Sequence, residues 1–346
     1  MNKEYKDMLN ELHFSSEQKE QMIDRLMQQA AQPIPAYKPR RSIKRTVAAV
    51  LAAAAVLSMG AGAAYVGWAS DAFEAAFGTA QTEIIDKIGY PVDASASDAG
   101  FTITADAVMG DKYNINIVYT ITAEDGRVLD ADNMLCQETL DFSQSGMGGS
   151  SWFVDDVPGD NQVQYIMQCS VDDEKGIRQG TATAHFTSIK VWDDASEQAT
   201  VLAEGNWKLR FDLRYDDVGT ELLSEPIAVE TQAGTAMIQS VNISPLGFRI
   251  AAEYPTVNEQ TQKEIDSFEQ QESGKWPGNT PYDKLTALSI VLNLKDGSTL
   301  DLGKWMGSSC NIYTRKIVLR DTFRDEVIPL DQMESITIQD VTLPIQ

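Results

Sequence analysis

From Val47 to Ala69 the chain runs for 23 residues, "VAAVLAAAAVLSMGAGAAYVGWA", without one Asp, Glu, Lys, Arg or His. Wound as a helix at about 1.5 Å per residue, such a run reaches roughly 34 Å, enough to cross a hydrocarbon core of about 30 Å. No other feature limits the chain as strongly, because a crossing separates the residues before it from those after it. The flanks give the orientation. Lys38, Arg40, Arg41, Lys44 and Arg45 crowd the N-terminal side, whereas the first charge on the other side is Asp71. By the positive-inside rule the N-terminus is expected in the cytoplasm, with Tyr65 and Trp68 at the outer interface. A secretory leader has a short basic head, but here 46 residues with helical patterning precede the run. One uncleaved span is therefore the reading. Cleavage near "GAGAA" and a buried alanine-rich helix are the alternatives.

Charge divides along the same line. The whole chain has 28 Lys+Arg against 51 Asp+Glu, for a net charge of −23. The first 46 residues hold nine basic against six acidic residues, while everything after Ala69 holds 19 against 45. An acidic body of this kind argues against nucleic-acid binding, which depends on Lys and Arg neutralising phosphates.

The segment before the run, "MNKEYKDMLNELHFSSEQKEQMIDRLMQQAAQ", predicts two short amphipathic helices. Met8, Leu9 and Leu12 form one stripe. Ser15 and Gln18 have the spacing of a capping box and start a second helix with Met22, Ile23, Leu26 and Met27 on one face. Two such helices are too small to enclose a core, so their apolar faces need a partner protein or a lipid surface. "AAQPIPAYKPRR" is a proline-rich linker. After the run, Phe73 and Phe77 stand at helical spacing, and a second short helix over 82–88 is stopped by Gly89 and Pro91.

From about Gly100 the pattern becomes period two. "FTITADAV", "YNINIVYTITA", "QVQYIMQCSV", "TATAHFTSIKVW" and "NWKLRFDLRY" alternate as half-buried antiparallel strands do. A second series follows residues 216–225: "IAVET", "TAMIQSVNIS", "GFRIAAEY", "LTALSIVLNLKDGSTLDLG", "RKIVLR" and "ESITIQDVTL", with Asp296-Gly297 as a hairpin turn. The insert "NEQTQKEIDSFEQQESGKWPGNTPYDK" is expected to be a polar loop or short helix. The expected fold is a mainly β ectodomain of two immunoglobulin-like β-sandwich domains, behind an N-terminal α-helical cytoplasmic segment and one transmembrane helix. The divisions are 1–45, 46–69, 70–218 (with the juxtamembrane helices) and 219–346.

Chemistry finds little purchase. His13 and His185, the two histidines, fall on opposite sides of the run, which removes zinc and Ser-His-Asp arrangements. Phosphate-loop, dinucleotide and nucleophile-elbow motifs are missing, so neither an enzyme nor a cofactor is expected. Cys136, Cys169 and Cys310 are too scattered for a disulfide framework, with a Cys136–Cys169 bridge left open. Acidic pairs such as Asp155-Asp156, Asp172-Asp173, Asp193-Asp194 and Asp216-Asp217 lack calcium-loop spacing and are expected to be solvated loops.

The stretches "LHFSSEQKEQMIDRLMQQ", "TEIIDKIGYPVDASASDAGFTITADAVMGDKYNINIVYTI", "GNWKLRFDLRYDD" and "AMIQSVNISPLGFRI" resemble bacterial single-pass anti-sigma-factor-like membrane proteins whose ectodomain is the domain of unknown function 4179. The resemblance implies a cytoplasmic segment that binds an extracytoplasmic-function sigma factor, and a sensory region outside that meets an unidentified ligand. Leu12, Phe14, Met22, Ile23, Leu26 and Met27 would fill a groove on the sigma factor. The H-x-x-x-C-x-x-C motif of zinc-containing anti-sigma factors is not present, so these apolar faces would act alone. A membrane-tethered surface binding or adhesion module with no sigma-factor partner is the alternative.

Overall fold

The computed structural model describes residues 68–78, 82–142, 146–155, 157–194, 196–269, 281–304, 307–323 and 326–345. Two helices come first. α1 (Trp68–Phe77) begins within the last two residues of the uncharged run, and α2 is Thr82–Ile88. Gly78 takes φ +74° and donates its N–H to the Glu74 carbonyl at 2.7 Å, the left-handed stop that a residue without Cβ adopts cheaply. Among the described residues no helix is long and apolar enough to cross a membrane. The predicted span falls outside them except for Trp68 and Ala69.

Everything else is antiparallel sheet in two series. The first comprises β1 (Gly89–Asp98), β2 (Phe101–Gly110), β3 (Asn114–Ala123), β4 (Met134–Asp141), β5 (Met147–Val154), β6 (Gln162–Val171), β7 (Gly180–Asp193) and β8 (Gln198–Leu213). One sheet has the order β1-β2-β3-β6-β5 and the other β4-β7-β8. Their inward faces share one core around Ile103, Ile117, Tyr119, Tyr165, Phe186 and Trp207. Tyr119 and Phe186 meet edge to face at 5.1 Å, and the indole N–H of Trp207 donates to the Phe101 carbonyl at 2.9 Å, which ties the two layers together.

The second series comprises β9 (Thr220–Glu221), β10 (Ile227–Thr231), β11 (Gly234–Ser244), β12 (Gly247–Glu253), β13 (Ile290–Leu294), β14 (Thr299–Asp301), β15 (Gly307–Asn311), β16 (Lys316–Thr322), β17 (Met333–Ile338) and β18 (Val341–Pro344). Its sheets have the orders β10-β11-β12-β16-β15, with β9 on β11, and β14-β13-β17-β18. A separate core holds Ile238, Phe248, Ile250, Leu292, Leu319 and Ile336. Between β12 and β13 stand α3 (Glu259–Glu269) and α4 (Pro281–Thr286). Asn258 starts α3 by accepting the Thr261 N–H on its side-chain oxygen at 2.9 Å.

Laid side by side, the two series repeat one path. β1-β2-β3-β6-β5 corresponds to β10-β11-β12-β16-β15, and β4-β7-β8 to β13-β17-β18, with β14 extra. Even the bulges correspond, since the ladder slips by one residue at Asp106 in β2 and at Gln239 in β11.

Several expectations hold at the level of elements. Both short helices after the run, the strands of both series and the Asp296-Gly297 turn are present, with Gly297 at φ +89°. The polar insert holds helices at both ends. β1, β4, β5 and β15 were not expected. β1 is a serine- and alanine-rich edge strand broken by a bulge at Pro91, and β5 reads "MGGSSWFV", so neither shows an apolar alternation.

Candidate functional site at the junction of the two halves

Sheet β1-β2-β3-β6-β5 is covered on both faces, and its outer face has two neighbours. Over one part lie the helices: Phe73, Phe77, Ile85 and Ile88 pack with Ala107, Met109, Val118 and Ile166 of the sheet, and Leu246 and Val327 of the second half join the same cluster. Phe73, Ile85 and Ile88 are fully buried there. Each contributes about 2 kcal/mol of apolar burial. The helical pair following the uncharged run is thus seated on a floor built by both halves.

Over the other part the second half docks directly, through side chains that are polar and still buried. Asp111 and Ser244 begin the β2–β3 and β11–β12 turns, equivalent positions of the repeated path. Asp111 accepts the N–H groups of Tyr113 and Asn114 at 2.6 and 2.8 Å. Ser244 does the same for Leu246 and Gly247 at 3.1 and 3.2 Å. The two residues then meet each other, with the Ser244 hydroxyl donating to the Asp111 carboxylate. Burial raises the pKa of Asp111, and the hydrogen bonds from Ser244, Tyr113 and Asn114 oppose it.

The flanking contacts are reciprocal. In the ladders, Asn114 pairs Ser170 and Asn116 pairs Gln168, as Gly247 pairs Thr322 and Arg249 pairs Arg320. Across the junction Thr322 donates to Gln168 at 2.9 Å, and Arg320 donates to Ser170 at 3.1 Å. Each position contacts its counterpart's neighbour on the other half, the pattern of a two-fold interface within one chain. Gly247 is needed here, since a Cβ would fall 2.2 Å from the Asp321 carbonyl and 3.1 Å from Asn114 Oδ1.

One element breaks the symmetry. Arg320 Nε reaches Asp172 Oδ1 at 2.5 Å, with the arginine side chain 7% and the aspartate side chain 22% exposed. Arg249 adds two hydrogen bonds to the Asp172 carbonyl, at 3.2 and 2.8 Å, and its guanidinium lies over the Tyr113 ring at 4.9 Å. Asp172, expected as a solvated loop acid, is instead the anchor for two arginines from the other half.

The network is incompletely satisfied: among the described residues Asn114 Oδ1, Asn116 Oδ1 and Gln168 Nε2 have no hydrogen-bond partner. A polar contact with such gaps holds less tightly than an apolar core of equal area. It suits two bodies that part and rejoin more than two that are fused.

Of the residues singled out from sequence, Leu12, Phe14, Met22, Ile23, Leu26, Met27, Lys38, Arg40, Arg41, Lys44 and Arg45 all lie outside the described residues, as does His13. His185 is an exposed strand residue whose ring Nε2 is 2.7 Å from Asn206 Oδ1. Cys136, Cys169 and Cys310 are free thiols. Among the described residues no group of three or more His, Cys, Asp or Glu converges to hold a metal ion. Asp111, Asp172, Ser244, Arg249 and Arg320 were missed. Their one sequence signal is a charged or polar residue inside a strand or tight turn whose neighbours are apolar.

No protein-family model matches the chain, and no curated protein does. Among solved structures, a conserved domain protein from Bacillus anthracis is similar, with a TM-score of 0.48 and 14% identity over 73% of this chain and 77% of that one. A likeness of that degree carries no argument about fold or function.

Proposed function

We propose that the chain is a transmembrane signalling regulator of the anti-sigma-factor-like kind. On this reading residues 1–45 bind an extracytoplasmic-function sigma factor in the cytoplasm, and residues 46–69 cross the cell membrane once. The β region outside, divided near residues 218 and 219, senses an extracytoplasmic ligand. We read its halves as immunoglobulin-like sandwiches, because β2-β3-β6-β5 over β4-β7-β8 follows the A-B-E-D and C-F-G order of that fold. The second half follows it too, with β11-β12-β16-β15 over β13-β17-β18.

The observation that carries the signalling reading is the seat of α1 and α2. These helices follow directly on the uncharged run, and they rest on side chains from both halves. A change at the polar junction therefore acts on the chain at the point where it would enter the bilayer. Coupling of this kind requires an element with two arrangements, and the incompletely satisfied junction supplies one. The test is co-purification of residues 1–45 with the sigma factor encoded beside this chain. Binding that is lost on replacing Met22, Ile23, Leu26 and Met27 with Ser supports the reading. Failure of the fragment to bind or inhibit any sigma factor removes it. If deletion of residues 1–37 leaves function intact, the chain is a membrane-tethered binding module.

A further inference from the structure

In the first half, alternation turns Met134, Cys136, Glu138 and Leu140 of β4 toward the interior, and three of the four pack in its apolar core. Glu138 is the exception. Tyr165 donates its hydroxyl to the Glu138 carboxylate at 2.5 Å and lies 2.7 Å from Ser151 Oγ. No cationic side chain pairs with this carboxylate among the described residues. Burial raises its pKa, and the Tyr165 hydrogen bond works the other way. Carboxylates withdrawn from water in folded proteins are ordinarily paired, so this one lacks its counter-charge.

β4 and β5 each end their sheets, which leaves the first half open between them. A recess of about 500 Å³ lies there, lined by Glu138, Leu140, Met147, Ser150, Ser151 and Met167. That volume is in the range of small-molecule sites. Beside it, Tyr119 Oη is fully buried without a hydrogen-bond partner and feels the Glu138 charge. The neighbouring thiols are not the reactive groups. Burial pushes Cys169 up to about 12 and Cys136 higher still, so neither is a thiolate at neutral pH.

We propose that this recess binds a small organic cation, a primary ammonium on a short aliphatic body, with Glu138 as its counter-charge. An ammonium has three donors and no acceptor. Glu138 takes one, and the Ser150 and Ser151 hydroxyls and the unpaired carbonyls along the β5 edge take the others. Leu140, Met147 and Met167 face the aliphatic body, with methionine adapting to its shape. An anion meets only the carboxylate, and a divalent metal ion finds one carboxylate where it needs several oxygen ligands. The site is independent of the signalling reading.

The test is calorimetric titration of the purified full-length chain with n-butylamine and n-hexylamine, using the matched alcohols as controls, up to about 10 mM. Saturable one-to-one binding of the amines and none of the alcohols is expected. Affinity should rise with pH as Glu138 ionises, and Glu138→Gln should weaken it at least about tenfold, with thermal melting to show that the variant is folded. If that variant does not fold, the pH dependence of the unaltered chain decides. Amine binding that is not saturable, equal binding of alcohols, unchanged affinity in Glu138→Gln, or affinity flat with pH overturns the proposal.

Discussion

Arg320→Met isolates the ion pair that fixes the two halves together. Methionine keeps most of the apolar stem in place, so the loss is confined to the guanidinium. With the arginine side chain 7% exposed, the pair is close to the buried limit, where removing one partner costs about 3–5 kcal/mol. Asp172 keeps 22% of its side chain in contact with solvent and so recovers part of its hydration once unpaired. That brings the ionic loss to about 2 kcal/mol, and the lost hydrogen bond to Ser170 adds about 1. The expected destabilisation is therefore about 3 kcal/mol. Asp172→Asn alone should cost about 2 kcal/mol, and the double variant should fall short of the sum by about 1.5 kcal/mol. Urea unfolding at equilibrium measures all three, and amide hydrogen exchange locates the effect. Exchange should rise first in β6, β16 and α1, before the cores around Trp207 and Ile336 open. A loss below about 0.5 kcal/mol, or strict additivity of the two changes, would refute the ionic junction as described.

Other outcomes follow from the same geometry. Gly148→Ala places a Cβ 2.8 Å from the pinned Arg320 Nη1 and should cost about 1–2 kcal/mol, an effect that urea unfolding should find abolished in an Arg320→Met background. Asp106, at the β2 bulge, is pushed up to about 6 by burial, against a hydrogen bond from Thr120. Its folded pKa exceeds its unfolded value near 3.8, so the folded state holds the extra proton between the two and stability should fall as pH rises through about 4 to 6. In Asp106→Asn that fall, up to about 3 kcal/mol, should be absent from pH-dependent melting curves. Phe73→Ala empties the centre of the helix seat and should speed amide exchange in α1 by about 100-fold, with the Trp207 emission unchanged. Equal acceleration in β8 would show that the helices are not a separable element.

How the sequence could be read follows from what each residue faces. In "YNINIVYTITA" the isoleucines correctly mark the inward face, but Asn114 and Asn116, polar and so assigned to solvent, are each only 1% exposed. Alternation reports which residues share a face and cannot say whether that face meets water or another half of the chain. Arg249 and Arg320 are hidden for the same reason. Phe73 and Phe77, by contrast, were legible as a packed helix face, because aromatics at that spacing have few other uses. β5 was lost since its glycines and serines serve the close approach of Arg320 and the Glu138 recess, not the strand itself. The repeated path of the two halves left no trace in residue identity, because backbone order and bulge position, not side chains, are what repeat.

Whether the chain crosses a membrane once, acidic body outward, is the claim on which the signalling account stands. Single cysteines introduced as Asn2→Cys and Tyr313→Cys, in a background with the native cysteines replaced by serine, report it through a membrane-impermeant maleimide applied to intact cells. Tyr313 is 67% exposed, so its position is open to the reagent. Labelling at position 313 on intact cells, with position 2 labelled only after lysis, is the predicted result. Labelling at position 2 on intact cells, or at neither position until the cells are broken, would contradict it.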